Sequence, residues 1–179
     1  MTYAWQPACS IELIRLRARV LHEIRLFFYA ENVLEVETPV LCHAIGTDPF
    51  LDFFSTAELT GKQPSLYLQT SPEFAMKRLL AAQTGSIYQI TKAFRKGELG
   101  RLHNPEFSML EWYRVGYDLR QLMDDAELLL GRLLPEEYFS EPATRLCYAN
   151  VFQQYTGLNA LQFDLECYQL VAEKRGLFD

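Results

Sequence analysis

Apolar residues at three- and four-residue steps (Leu13, Leu16, Val20, Ile24 and Phe27/Phe28) open the chain, while Arg15, Arg19, Glu23 and Arg25 fall largely on other faces. That spacing predicts an amphipathic helix packed on a sheet. Ser10 is its expected N-cap, Glu12 lies in the first turn where the helix dipole favours negative charge, and the helix ends near Glu31-Asn32. The pattern then changes to alternation. Leu34, Val36 and Thr38 alternate with Glu35 and Glu37, which predicts a strand from Val33 to Pro39, a proline that cannot donate to a ladder. The two glutamates read better as a solvated face than as acid–base machinery. Residues 42–49 read as a loop with a lone His43. Pro49 to Phe54 reads as a short strand, 60–64 as a turn, and Leu66 to Gln69 as a strand pairing back.

Thr70-Ser71-Pro72-Glu73 has the form of a helix start, with Ser71 as N-cap, Pro72 at the first helical position and Glu73 in the first turn. Capping explains Glu73. So does a ligand, because a carboxylate where a strand hands over to a helix is well placed to meet one. The helix runs to about Ala82. A strand follows from Ile87 to Phe94, with Gln89, Thr91, Ala93 and Arg95 on one face. The next strand, from Glu106 to Arg114, puts Phe107, Met109, Glu111 and Tyr113 on one face and Ser108, Leu110 and Trp112 on the other. A face that mixes a carboxylate and a phenol with Phe and Met suits a pocket: an apolar floor with a few placed polar groups. Asp118 can cap a helix with Leu119, Leu122, Met123, Ala126, Leu129 and Leu133 on one stripe. Residues 135–142 resemble a linker and 144–148 an extended segment. Two short helices follow, closed by Gly157 and Gly176.

Composition changes this picture little. With 179 residues, 49% hydrophobic and 22% charged, the chain suits one globular domain with a real core, with or without a small appendage. Its net charge of −6 argues against nucleic-acid binding as a default, although cations cluster at 15–25 and 92–101. The four cysteines are widely spaced and carry no zinc-ligand pattern, so reduced structural thiols and no metal site are expected. The sequence has no signal peptide and no membrane-spanning apolar run, so a cytoplasmic protein is expected.

The candidate chemistry lies in the hairpin. Its loop, Lys96 to Asn104, carries Gly97 and Gly100 for backbone freedom and cationic or potentially cationic groups at Lys96, Arg101 and His103. There is no GxxxxGK[ST] P-loop and no GxGxxG fingerprint. A nucleotide could still bind through Arg95 on phosphate and Phe107 on the base, with Glu111 and Tyr113 meeting a cationic co-substrate. The plain alternative is a surface hairpin with a solvated loop and Phe107 in a core.

Phe94-Arg95 followed by His103-Asn104-Pro105-Glu106-Phe107-Ser108-Met109-Leu110-Glu111-Trp112-Tyr113 resembles motif 2 of the class II aminoacyl-tRNA synthetases, in the form of the lysyl, aspartyl and asparaginyl subgroup. Residues of about 15–41 resemble motif 1, with Pro39 as its proline, and motif 2 spans about 87–115. Leu68-Gln69-Thr70-Ser71-Pro72-Glu73 and Lys77-Arg78-Leu79-Leu80 resemble the segment between. Within the class, the chain is most similar to the lysyl-tRNA synthetase paralogues that modify elongation factor P. Few residues precede the first helix, where a lysyl-tRNA synthetase carries its anticodon-binding domain, so tRNA is not an expected partner.

The resemblance implies an α+β fold, an antiparallel sheet flanked by helices. It implies ATP- and Mg²⁺-dependent activation of lysine or β-lysine as an adenylate, transfer to a lysine of elongation factor P, and a homodimer formed through motif 1. It implies Arg95 as the catalytic arginine on the α-phosphate and the reacting carboxylate. Lys96, Gly97, Glu98, His103, Asn104 and Phe107 would complete the ATP site, and Ser71, Pro72, Glu73, Glu111 and Tyr113 the amino-acid site. The family's FRxE reads Phe94-Arg95-Lys96-Gly97 here, with Glu98 one place late. No glycine-rich segment ending in arginine follows residue 114. The expected fold is therefore an N-terminal portion, incomplete on its C-terminal side, with 135–179 as a helical insertion-like segment, the Mg²⁺ ligands elsewhere and little activity in isolation. The rival expectations are a non-catalytic dimerisation or nucleotide-binding remnant and a lysyl-tRNA synthetase core fragment.

Overall fold

The computed structural model describes residues 5–44, 46–56, 66–138 and 141–177; the turn expected at 60–64 lies outside them. The chain divides into two compact units, Met1–Leu134 and Pro135–Asp179.

In the first unit, helix α1 (Ile11–Ala30) starts where Ser10 Oγ accepts from Leu13 N. It stops in a left-handed turn at Asn32 (φ 53°), with Val33 N bonded back to Phe28 O at 2.9 Å. Asparagine tolerates that conformation better than most residues. Strand β1 is only Leu34–Glu35, shorter than the alternation predicts, although Val36 N still reaches Tyr88 O at 2.9 Å. β2 (Leu41–Cys42) and β3 (Tyr67–Leu68) pair antiparallel. The expected strand at 49–54 is absent as a regular element. Two hydrogen bonds, Leu68 N to Phe54 O and Thr56 N to Leu66 O, do join that stretch to 66–68 as the pairing-back required.

Helix α2 (Glu73–Ala81) has Pro72, not Ser71, as its N-cap. Ser71 Oγ still accepts from Glu73 N, so the sequence signal was one residue off and its hydroxyl serves the helix start as expected. Strands β4 (Ile87–Phe94) and β5 (Glu106–Tyr113) form the antiparallel hairpin, in the register Gln89–Glu111, Thr91–Met109 and Ala93–Phe107. β1 joins β4 in parallel, so the three-stranded sheet is mixed rather than wholly antiparallel.

The register sorts the two faces. Tyr88, Ile90, Leu110 and Trp112 turn toward α1 and the helix α3 (Leu119–Leu133), and pack with Ile24, Phe27, Phe28 and Leu129. Phe28 stacks on Tyr88 with ring centroids 4.3 Å apart and lies against Trp112 at 5.9 Å. The opposite face holds Gln89, which accepts from Thr38 Oγ1 at 3.0 Å, and Met109 and Glu111, which border the site. Glu35 is occupied structurally: Arg25 Nε donates to both its oxygens and Tyr88 Oη donates to one. Burial, then the bond to Glu35, raises the Tyr88 pKa, so that phenol stays a donor.

Two helix stripes differ from expectation. Leu13 (56% exposed) and Leu16 lie open, and the core of α1 is its C-terminal half. In α3, begun by an Asp118–Gln121 capping box, Leu119 is exposed and a polar residue, Asp125, is buried beside Leu129. Sequence spacing identifies a stripe but not how far the covering surface extends along it.

The second unit contains α4 (Tyr148–Thr156), closed by Gly157 at φ 76°, and α5 (Leu165–Lys174), capped by Asp164 Oδ1 on Cys167 N. α5 ends with Leu177 N on Ala172 O and Gly176 N on Glu173 O, the paired bonds of a left-handed glycine stop. No helix among the described residues is long and apolar enough to cross a membrane.

Candidate active site

Three pieces of the first unit converge on one cavity of about 450 Å³: the loop after β2, the start of α2, and the inner face of the hairpin. Ser71, Glu73, Arg95 and Glu111, all candidates from sequence, border it. Met109 and Phe74 supply apolar wall. Arg95 is the only arginine or lysine on its border among the described residues, against the three carboxylates of Asp48, Glu73 and Glu111.

Glu111 is fixed at both oxygens. Ser71 Oγ donates to Oε2 at 2.8 Å and Tyr113 Oη donates to Oε1 at 2.7 Å. Ser71 thereby links the α2 start to β5, accepting from Glu73 N at 3.1 Å while donating to Glu111. Burial raises the Tyr113 pKa, and the bond to Glu111 and the charges of Glu111 and Glu73 raise it further. The phenol therefore remains a donor around neutral pH. Glu73 pairs with Lys77 one turn along α2, yet still borders the cavity, so helix-start and ligand-facing placements coincide in one residue.

Arg95 sits where β4 leaves the sheet, its N bonded to Pro105 O at 2.9 Å. The guanidinium lies 5.1 Å from the centroid of the Phe107 ring, and Nη1 is 3.6 Å from Glu98 Oε1. Glu98, displaced by one place from the family pattern, thus does reach the arginine. The turn that permits this has Gly97 at φ 84°, a conformation that favours glycine, and Lys96 N anchored to Asp52 O at 3.0 Å.

The other candidates stand outside the cavity. Lys96, Gly97, Glu98, His103, Asn104 and Phe107 continue the hairpin past Arg95, with Gly100 and His103 exchanging backbone bonds at its tip. Pro72 is fully buried beneath the α2 start. Tyr113 is tied to the site through its hydroxyl bond to Glu111, and it borders a second cavity of about 310 Å³ with Trp112, Leu80 and Leu122.

Sequence reasoning missed Cys42 at the end of β2 and the loop after it, which brings Thr47 and Asp48 to the cavity, and it missed Gln69. Burial raises the Cys42 thiol pKa, so it is a neutral wall group. Asp48 Oδ1 accepts from Phe50 N at 3.0 Å, a local turn visible as Asp-Pro in sequence; its place on the same cavity border as Glu73 is tertiary and leaves no local signal. Among the described residues no group of three or more His, Cys, Asp or Glu side chains is placed to hold a metal ion. A small cavity with three carboxylates and one arginine suits a ligand that carries one or more ammonium groups and an anionic end.

Residues 7–173 match the family model of class II tRNA synthetases (D, K and N). An elongation factor P–(R)-β-lysine ligase of Vibrio atlanticus is 47% identical over the whole chain and over 55% of its own length. The corresponding ligase of Pseudoalteromonas translucida is 48% identical over 98% of the chain and 54% of its own. That of Erwinia tasmaniensis is 44% identical over 99% and 54%. The chain spans about half the length of these relatives.

Proposed function

The chain belongs to the class II tRNA synthetases (D, K and N), and from that premise we propose that its cavity binds lysine or (R)-β-lysine for ATP-dependent activation and transfer to elongation factor P. The observation that carries the reading is the charge of the site: Glu73 and Glu111 border one cavity with Arg95. The family activates aspartate, lysine or asparagine. A pocket with more carboxylates than cations repels a second carboxylate and attracts a second ammonium, so the lysine branch fits.

In the proposed reaction the substrate carboxylate attacks the α-phosphorus of ATP, pyrophosphate leaves, and an acyl-adenylate remains. An ε-amine of elongation factor P then attacks the acyl carbonyl and AMP leaves. Arg95 is the catalytic residue. Touching both carboxylate and α-phosphate, it offsets the repulsion between two anions and stabilises charge that builds up as they react. Lys96, Gly97, Glu98, His103, Asn104 and Phe107 line the path of the nucleotide along the hairpin, and Phe107 offers a ring face to adenine. Glu111, oriented by Ser71 and Tyr113, meets a substrate ammonium, and Glu73 meets the other; Pro72 fixes the turn that presents Ser71 and Glu73. Mg²⁺, as the companion of ATP, is assigned no ligands among the described residues.

The exposed Leu13 and Leu16 of α1, with Leu34 of β1, support a homodimer formed through this edge. A cytoplasmic location suits the proposed acceptor. The relatives named as protein ligases favour elongation factor P over tRNA as acceptor.

Calorimetric titration of the chain with lysine, (R)-β-lysine, aspartate and asparagine tests the reading. Binding of the first two with no detectable binding of aspartate is expected; preference for aspartate or asparagine would overturn it. With Arg95 the only arginine or lysine on the cavity border among the described residues, the chain alone should support little lysine-dependent pyrophosphate exchange. Turnover near that of a complete synthetase would contradict this expectation.

A further inference from the structure

Two buried polar atoms of residues on the cavity border have no hydrogen-bond partner among the described residues. One is Gln69 Oε1 and the other is Arg95 Nε, both buried away from solvent. Gln69 as a residue is 4% exposed and borders the same cavity as Arg95. Its amide orientation follows from its other bonds. Nε2 donates to Lys92 O at 2.8 Å and to Thr91 Oγ1 at 3.1 Å, and a backbone carbonyl can only accept, so the amide NH₂ must face it. The carbonyl oxygen is therefore left as an open acceptor. Its main chain lies beside Arg95, since Phe94 N donates to Gln69 O at 2.9 Å. Gln69 N is in turn bonded to Val40 O at 3.0 Å, which ties the β2–β3 side of the cavity to β4.

Arg95 is weakly held where it lies. Among the described residues its ion pair with Glu98, at 3.6 Å, is longer than a hydrogen bond, and its other charged or ring contact is the Phe107 ring face. That ring face is the one the proposed function gives to adenine. A bound nucleotide would thus remove one of the two contacts, and its phosphate would compete with Glu98 for the other.

We propose that Gln69 is a positioning residue for Arg95: when a nucleotide draws the guanidinium off Phe107 and Glu98, Arg95 Nε donates to Gln69 Oε1, which leaves the two terminal nitrogens to face the ligand. Both unpartnered atoms are satisfied by one bond. The guanidinium also gains a fixed plane, which a two-pronged contact to phosphate or carboxylate requires. Gln69 makes no contact with substrate in this scheme, and the inference rests on the reading of the site as an ATP site.

Gln69→Met keeps the side-chain length and removes the acceptor; Arg95→Lys keeps the charge and removes the Nε–H donor. In calorimetric titrations with ATP, Gln69→Met should weaken binding by the original chain about tenfold, the scale of one hydrogen bond to a charged group. It should have no further effect in the Arg95→Lys background. Equal weakening in both backgrounds, or none in the first, overturns the inference. Because Gln69→Met also removes bonds to β4, the original protein supplies a second measurement. The Arg95 Nε–H resonance, assigned by its loss in Arg95→Lys, should exchange with water at least several-fold more slowly once ATP is added, as expected for a proton sequestered in a hydrogen bond. Unchanged exchange overturns the inference alone. Failure of the original chain to bind ATP overturns the functional reading and the inference with it.

Discussion

Asp125→Ala should lower the unfolding free energy of the first unit by about 3–5 kcal/mol, the range for removing one partner of a buried ion pair. Arg114 and Asp125 side chains are each only 4% exposed, and Arg114 Nη2 donates to Asp125 Oδ1 at 2.8 Å. Burial alone would lower the Arg114 pKa, but the bonds to Glu31 and Asp125 more than offset it and hold it above the ordinary value. Without Asp125 the guanidinium keeps Glu31 at the half-exposed edge and the ring of Tyr117 at 4.8 Å. Trp112 Nε1 loses its acceptor as well, since it donates to the other Asp125 oxygen at 3.0 Å. One carboxylate therefore ties α3 to Trp112 of β5 and to Arg114 just beyond the strand, the two residues that flank Tyr113. Asp125→Asn, which keeps one acceptor, should cost less. Arg114→Met with Asp125→Leu should recover much of the loss, because an apolar pair has no charge to strand. Urea unfolding followed by Trp112 fluorescence in a Trp5→Phe background measures all three. A cost under about 1 kcal/mol for Asp125→Ala would show that the pair is not the anchor described, since that is the range of an exposed pair.

Glu111→Gln should weaken lysine binding at least about 30-fold, in line with losing one member of a desolvated charge pair. It should leave ATP binding near that of the original chain. The substitution is nearly isosteric. One of the Ser71 and Tyr113 hydroxyls can still donate to the amide oxygen, and the other can turn to accept from the amide NH₂; what disappears is the negative charge between them. Parallel titrations of the variant with lysine and ATP, with a circular dichroism spectrum as control, separate this from misfolding. Equal loss for both ligands would mean that Glu111 holds the hairpin rather than the amino acid.

The hairpin was readable because its information is local. Alternation fixed which residues of β4 and β5 share a face, and the observed register places Gln89 with Glu111 and Ala93 with Phe107 as that alternation requires. Caps were legible for a related reason: Ser10 and Asp118 act within three residues of themselves. Pro72 in place of Ser71 as the cap of α2 is a shift that local signals cannot resolve, since both residues favour a helix start. What depends on the tertiary fold was out of reach. β1 pairs in parallel because the chain crosses α2 before returning as β4, and periodicity carries no strand direction. Asp48 and Gln69 reach the cavity from separate turns, and the Arg114–Asp125 pair joins a strand end to a helix interior. Asp125 occurs on a stripe that is otherwise leucine-rich, and only its partners Arg114, just past β5, and Trp112 explain a buried carboxylate there. The motif resemblance supplied roles for site residues that spacing alone left open, including a nucleotide and an amino-acid half on one hairpin.

The central claim is that this hairpin is the wall of an ATP-dependent activating site built around Arg95. Calorimetric titration of the chain and of its Arg95→Ala variant with Mg²⁺-ATP tests it most directly. The account predicts saturable binding by the original chain and none detectable by the variant. Absence of binding by the original chain, or equal affinity in the two proteins, would contradict it.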